Sequence, residues 1–153
     1  MLRLRFAILV LVALVPALAS ADVPLALETL DGVAVPLEAP ASGARVLHFW
    51  ATWCPSCRDE LAALASAARS CEGGDVEVLA IDVAESADDV RDYLAKTPLD
   101  LRVLRDPDGR AWRSGGGREL PANLIWTPDT RRWTFGPISE SDWRERLAAL
   151  GCR

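Results

Sequence analysis

Cys54 and Cys57 stand two residues apart in the stretch Val46-Leu47-His48-Phe49-Trp50-Ala51-Thr52-Trp53-Cys54-Pro55-Ser56-Cys57. Two thiols at this spacing can close into a small disulfide and reopen, so the pair is a candidate for dithiol redox chemistry. An apolar run ends at the first cysteine and an amphipathic pattern begins at once, which predicts a strand handing over to a helix N-terminus. The unpaired N–H groups of a first helical turn and the helix dipole favour negative charge, so the first sulfur should ionise more easily than a free cysteine. Pro55 suits the first helical position, where its missing N–H costs nothing. Cys57 lies nearly one turn deeper, placed to resolve a bond made by Cys54.

Three other uses of the pair compete. A structural zinc site needs four ligands, but beyond this pair the chain has Cys71, Cys152 and the single His48, with no second CxxC spacing. A purely structural bond over so short a loop would constrain the unfolded chain little. Copper has few soft or imidazole helpers, because the sequence contains one Met and one His. A copper metallochaperone or assembly factor using the dithiol without turnover stays as the alternative function.

The elements that must hold the pair can be read in order. Residues 25–29 and 33–37 flank Asp31-Gly32, a hairpin signal. Residues 46–50 read as a buried strand, and Leu61, Leu64, Ala65 and Ala68 recur at helical spacing until Gly73-Gly74. Residues 76–83 form the next strand. Ser86 and Asp89 open a helix that carries Val90, Tyr93 and Leu94 and stops at Pro98. A short strand over 101–104 meets the Asp106-Pro107-Asp108-Gly109 turn, and Gly115-Gly116-Gly117 loosens the chain ahead of Leu120-Pro121. Residues 122–126 and 131–135 make an antiparallel pair, and Ser139 opens a last helix with Trp143, Leu147 and Leu150 on one face.

The 153 residues, half of them hydrophobic, suit one compact domain after a targeting segment. Arg3 and Arg5, the apolar run 6–15 and Ala19-Ser20-Ala21 have the order of a secretory signal cleaved after residue 21. The domain is then 22–153, and an uncleaved N-terminal anchor facing the periplasm is the alternative. Cleavage removes two arginines and no acid, so the net charge of −5 becomes −7. So acidic a domain argues against a nucleic-acid partner. In an oxidising compartment a dithiol stays reduced only if electrons are delivered to it, which implies a membrane electron donor for thiols if the protein reduces.

The segment Phe49-Trp50-Ala51-Thr52-Trp53-Cys54-Pro55-Ser56-Cys57, followed by the 76–83 strand and by Leu120-Pro121 opening another, resembles the thioredoxin-like proteins, and more narrowly the exported TlpA/ResA type. The resemblance covers roughly residues 25–150, nearly a whole domain. It implies an α/β fold: a three-layer α/β/α sandwich with a central mixed sheet, an N-terminal β-hairpin and a helix–strand insertion before a cis-proline. It further implies a periplasmic thiol–disulfide oxidoreductase that reduces client protein disulfides and needs no cofactor beyond the redox-active pair Cys54–Cys57. Cys54 matches the exposed nucleophile, Cys57 the buried resolving thiol, and Pro121 the cis-proline that guides substrate backbone. Leu120, Trp53, Pro55 and Ser56 would share that client-facing surface. Glu60, one turn beyond Cys57, resembles an acid that such reductases place near the dithiol, where it would accept the resolving thiol's proton. The competing reading is an exposed first-turn acid, which neighbouring Asp59 would serve equally well.

The sequence also departs from the resemblance. Ala122-Asn123 replaces a commoner Thr-Thr, and the Gly-Val-x-Gly-x-Pro-Glu-Thr stretch typical of dedicated cytochrome c maturation reductases is absent. His48 takes a strand position where asparagine is common, and reads as a buried, hydrogen-bonded histidine. In a thioredoxin-like sheet the helices closed by Cys71 and Cys152 share a face, so these two are expected to form a structural disulfide at the pole opposite the dithiol. The alternative is that the chain end leaves Cys152 free or open to an intermolecular bond.

Overall fold

A computed structural model describes residues 24–153, so the signal or anchor read in residues 1–21 lies outside the described residues. Strands β1 (Leu25–Glu28) and β2 (Ala34–Leu37) form the N-terminal hairpin. Then follow β3 (Ala44–Trp50), α1 (Pro55–Ala68), a 3-10 turn over Arg69–Cys71 and β4 (Val76–Val83). The chain continues through α2 (Ala87–Lys96), β5 (Arg102–Asp106), α3 (Arg110–Ser114), β6 (Ala122–Trp126), β7 (Arg131–Phe135) and α4 (Glu140–Ala149).

The seven strands form one mixed sheet in the order β2-β1-β5-β4-β3-β6-β7. Strands β3, β4 and β5 run parallel, while β6 lies antiparallel to β3. Side chains alternate across a strand, so each face has its own core. Leu47, Phe49, Leu79, Ile81, Leu104, Leu124 and Trp126 pack with the hairpin and α3 on one side. On the other, Val46 meets Leu64 of α1 with Trp143 and Leu147 of α4, and Trp50 meets Cys57, Leu61 and, from α2, Val90. This second face also carries His48, Asp82 and Asn123, since His48 is the register partner of Asn123 and Trp50 of Asp82.

Two local features differ from the sequence expectation. Helix α3 stands where only a turn was foreseen. The buried Asp106 carboxylate holds it by accepting the N–H groups of Ala111 (3.2 Å) and Trp112 (2.9 Å). The glycine triplet does more than loosen the chain. The Trp133 indole lies against Gly115 and that of Trp112 against Gly117, so a Cβ at either position would overlap a ring.

Candidate active site

Cys54 ends the loop after β3 and is the N-cap of α1, with Pro55 as the first helical residue. Its backbone is extended (φ −93°, ψ 104°), and its sulfur accepts the Cys57 N–H at 3.3 Å. The Ser56 hydroxyl lies 3.6 Å from the same sulfur. Cys54 and Cys57 are joined as a disulfide with Cα atoms 5.3 Å apart. Both are buried, Cys54 at 5% and Cys57 at 0% exposure, so in the disulfide Cys54 is not the exposed sulfur that the resemblance implies, only the less buried of the two. A sulfur here faces free N–H groups and the positive end of a 14-residue helix, which lowers the free energy of a thiolate.

The surroundings of the disulfide are uneven. Trp53 is 68% exposed beside Cys54, and Pro55 and Ser56 are exposed with it. Leu120 packs against the core cluster that holds Cys54, Cys57, Trp50 and Leu61. The Leu120–Pro121 peptide is cis, and the Pro121 carbonyl accepts the Gly136 N–H at 2.9 Å. Leu120, next to Pro121, thus borders the cluster that holds the disulfide, and the exposed Trp53 precedes Cys54 in the chain.

Glu60 is not the surface acid of the competing reading: it is 3% exposed, whereas neighbouring Asp59 is exposed. Its Oε1 accepts Asn123 Nδ2–H at 2.9 Å and Trp143 Nε1–H at 3.1 Å, with His48 Nδ1 at 3.5 Å. His48 is fully buried, and its Nδ1 lies 2.8 Å from Asn123 Oδ1. Asn123 entered the sequence reading only as a departure, and Trp143 only as a core residue.

A second acid lies on the same face. Asp82 is fully buried, and among the described residues no well-formed hydrogen bond reaches either carboxylate oxygen. Burial pushes its carboxyl up to about 8, the nearby Glu85 carboxyl adds to the rise, and Arg105 and the Glu85 N–H pull against it. Asp82 is therefore largely protonated at neutral pH. The one signal for it in the sequence was an acid following the apolar run Val78-Leu79-Ala80-Ile81 within a strand.

Cys71 and Cys152 form the second disulfide, with Cα atoms 4.3 Å apart. They close the far ends of α1 and α4, one helix length from Cys54.

The chain is similar in sequence and fold to known proteins. A model of the AhpC/TSA family matches residues 21–130. The chain belongs to the AhpC/TSA family. Within it, the relatives are thiol–disulfide oxidoreductases of the TlpA/ResA type. The thiol-disulfide oxidoreductase ResA of Bacillus subtilis is 26% identical over 117 residues, spanning 75% of this chain and 65% of ResA. Among solved structures, Mycobacterium tuberculosis DsbF superposes with a TM-score of 0.75 at 26% identity, covering 85% of this chain and 97% of that one. A secreted disulfide oxidoreductase of the same organism gives a TM-score of 0.71 at 25% identity, covering 82% and 96%. The fold is thioredoxin-like, and its N-terminal hairpin and its α2–β5 insertion ahead of the cis-proline are those foreseen in the sequence.

Proposed function

We propose that this protein is an exported, periplasmic thiol–disulfide oxidoreductase that reduces disulfides in client proteins through Cys54 and Cys57. The observation that carries this reading is the Cys54 sulfur at the N-cap of α1, accepting the Cys57 N–H at 3.3 Å in the more exposed position of the pair.

In the reduced protein the Cys54 thiolate attacks one sulfur of a client disulfide, and the other client sulfur leaves as a thiolate with the bond's electron pair. The mixed disulfide brings the client backbone against Leu120 and Pro121, with the exposed Trp53, Pro55 and Ser56 beside Cys54 in the chain. Cys57 then loses its proton to Glu60 and attacks Cys54, forming the Cys54–Cys57 bond and releasing the client's second thiolate. Glu60 suits this step because it lies one turn beyond Cys57, is buried, and has an oxygen, Oε2, with no hydrogen-bond partner among the described residues. No cofactor enters the cycle. Electrons return from a thiol-reducing donor in the membrane.

The export reading rests on Arg3, Arg5, the apolar run and Ala19-Ser20-Ala21, with a periplasm-facing anchor as the alternative outcome. Turnover of an insulin-type disulfide assay by the 22–153 domain, with a reducing dithiol potential, is the expected result. An oxidising potential would reverse the direction. Tight stoichiometric copper(I) binding without disulfide turnover would replace the enzyme with a metallochaperone.

A further inference from the structure

The donors around Glu60 are distributed unequally between its two oxygens. Oε1 takes Asn123 Nδ2–H at 2.9 Å from β6 and Trp143 Nε1–H at 3.1 Å from α4, and His48 Nδ1 of β3 stands 3.5 Å away. Oε2 is buried and has no hydrogen-bond partner among the described residues. His48 determines how Asn123 takes part. The two are register partners, so their side chains share a face, and His48 Nδ1 is 2.8 Å from Asn123 Oδ1. Since Nδ1 faces two acceptor oxygens, it must carry the hydrogen. That bond fixes Asn123 Oδ1 toward His48 and therefore aims Asn123 Nδ2–H at Glu60.

We propose that His48 is a positioning residue for proton transfer: its Nδ1–H, acting through Asn123, commits Glu60 Oε1 to fixed donors and leaves Oε2 as the oxygen that receives the Cys57 proton. This rests on the reading of Glu60 as proton acceptor. In the step the Cys57 S–H bond breaks, the proton goes to Oε2, and the electron pair stays on sulfur. The sulfur bonds to Cys54, and the client sulfur departs with the electron pair of the mixed disulfide. No further oxidant or reductant is needed. Once Oε2 is protonated, Oε1 is a carbonyl-type oxygen that still accepts the same N–H groups, so Asn123 and Trp143 need not rearrange. A donor set that serves both protonation states without reorganisation is what makes a fixed polar site efficient.

The test separates attack from resolution. Reduced full-length protein is mixed with a chromogenic aromatic disulfide, whose first thiol is released by Cys54 attack and whose second is released by Cys57 resolution. Both are followed against pH. The titratable and charged groups on this side of the sheet include Cys57 of α1, Asp82 of β4 and its register partner Arg105 of β5, and Arg146 of α4 lies over the Trp143 ring, so Asp82→Asn is run in parallel to separate its contribution. His48→Leu is expected to leave the first release unchanged and to slow the second roughly tenfold, below the range for losing a whole general base. It should also move the rising limb to higher pH, in the direction of Glu60→Gln. His48→Asn, which keeps an N–H near the Nδ1 position, should restore much of the rate. Asn123→Leu removes the same bridge from its other end and should reproduce the His48→Leu shift, which keeps the test decisive if His48→Leu does not fold. A wild-type second-release profile in either bridge variant overturns the proposal. A wild-type profile in Glu60→Gln overturns the proton-acceptor reading instead, whatever the His48 variants do.

Discussion

Glu85 holds Thr52 by both of that residue's donors: the Thr52 N–H reaches Glu85 Oε2 at 2.5 Å and its hydroxyl reaches Oε1 at 2.6 Å. Thr52 lies two residues before Cys54, so the clamp fixes the loop that presents the nucleophile. The chain reaches Glu85 through Ala84, whose φ of +61° turns the end of β4 back toward that loop. Arg105 steadies the turn by donating to the Glu85 carbonyl at 2.7 Å.

Glu85→Ala should therefore strip two charge-assisted hydrogen bonds from the loop. A loss of about 2–3 kcal/mol is expected, at the scale of bonds to charged groups. Urea denaturation measures it, together with slower first thiol release. An unchanged midpoint would mean that the clamp does not hold the loop in solution.

Asp82 should give stability a pH dependence of a recognisable sign. Its carboxyl ionises at about 8 in the fold against an ordinary 3.8, mainly because burial penalises the charge. Between those values the folded protein keeps a proton that the unfolded chain releases. Its contribution is thus complete below pH of about 4, falls as pH rises toward about 8, and is level above, with a slope of at most about 1.4 kcal/mol per pH unit. Burial also raises Asp106, against the N–H groups of Trp112 and Ala111, and this adds a slope of the same sign. Asp82→Asn imitates the protonated acid, so its urea midpoint should decline less than the wild type's between pH 5 and 8. Equal declines would assign the slope to other groups.

What could be read in the sequence was what is local. The apolar run 46–50, the cysteine spacing and the serine-capped helices each lie within a few residues, and periodicity and capping chemistry report on that range. Helix α3 escaped because it spans only five residues with no apolar repeat, its N-cap Gly109 offers no side chain, and the acid that accepts its N–H groups, Asp106, stands outside it. The His48–Asn123–Glu60–Trp143 group escaped for a different reason. His48 and Asn123 are 75 residues apart, and only the antiparallel pairing of β3 with β6 makes them neighbours. Glu60 at three residues past Cys57 was legible as a candidate, but its burial depends on α4 covering α1, which no local pattern states.

The two active-site cysteines should be told apart by serine substitution. Cys54→Ser removes the sulfur that accepts the N-cap hydrogen bond and should abolish both thiol releases. Cys57→Ser leaves the first attack intact and removes resolution, so it should accumulate mixed disulfides with clients, visible on non-reducing gels and dispersed by a thiol reductant. Adducts recovered from Cys54→Ser but not from Cys57→Ser would reverse the two roles.

The Cys71–Cys152 bond should affect stability without affecting chemistry. It links residues 81 apart in sequence, and loop closure over that length removes unfolded-chain entropy worth about 4–5 kcal/mol. The bond Cys54–Cys57 spans 3 residues and restrains the unfolded chain far less. The chain end is also tied locally, since the Arg153 N–H donates to the Ser70 carbonyl at 2.8 Å beside Cys71. A helix of 14 residues, roughly 20 Å long at 1.5 Å per residue, separates this pole from Cys54. The double variant Cys71→Ser, Cys152→Ser should therefore lose about 2–5 kcal/mol in urea denaturation while both thiol-release rates stay at wild-type values at a temperature where it remains folded. Lost thiol release in that folded variant would show that the far pole is coupled to the dithiol after all, and an unchanged urea midpoint would show that the local tie at Arg153 already orders the terminus.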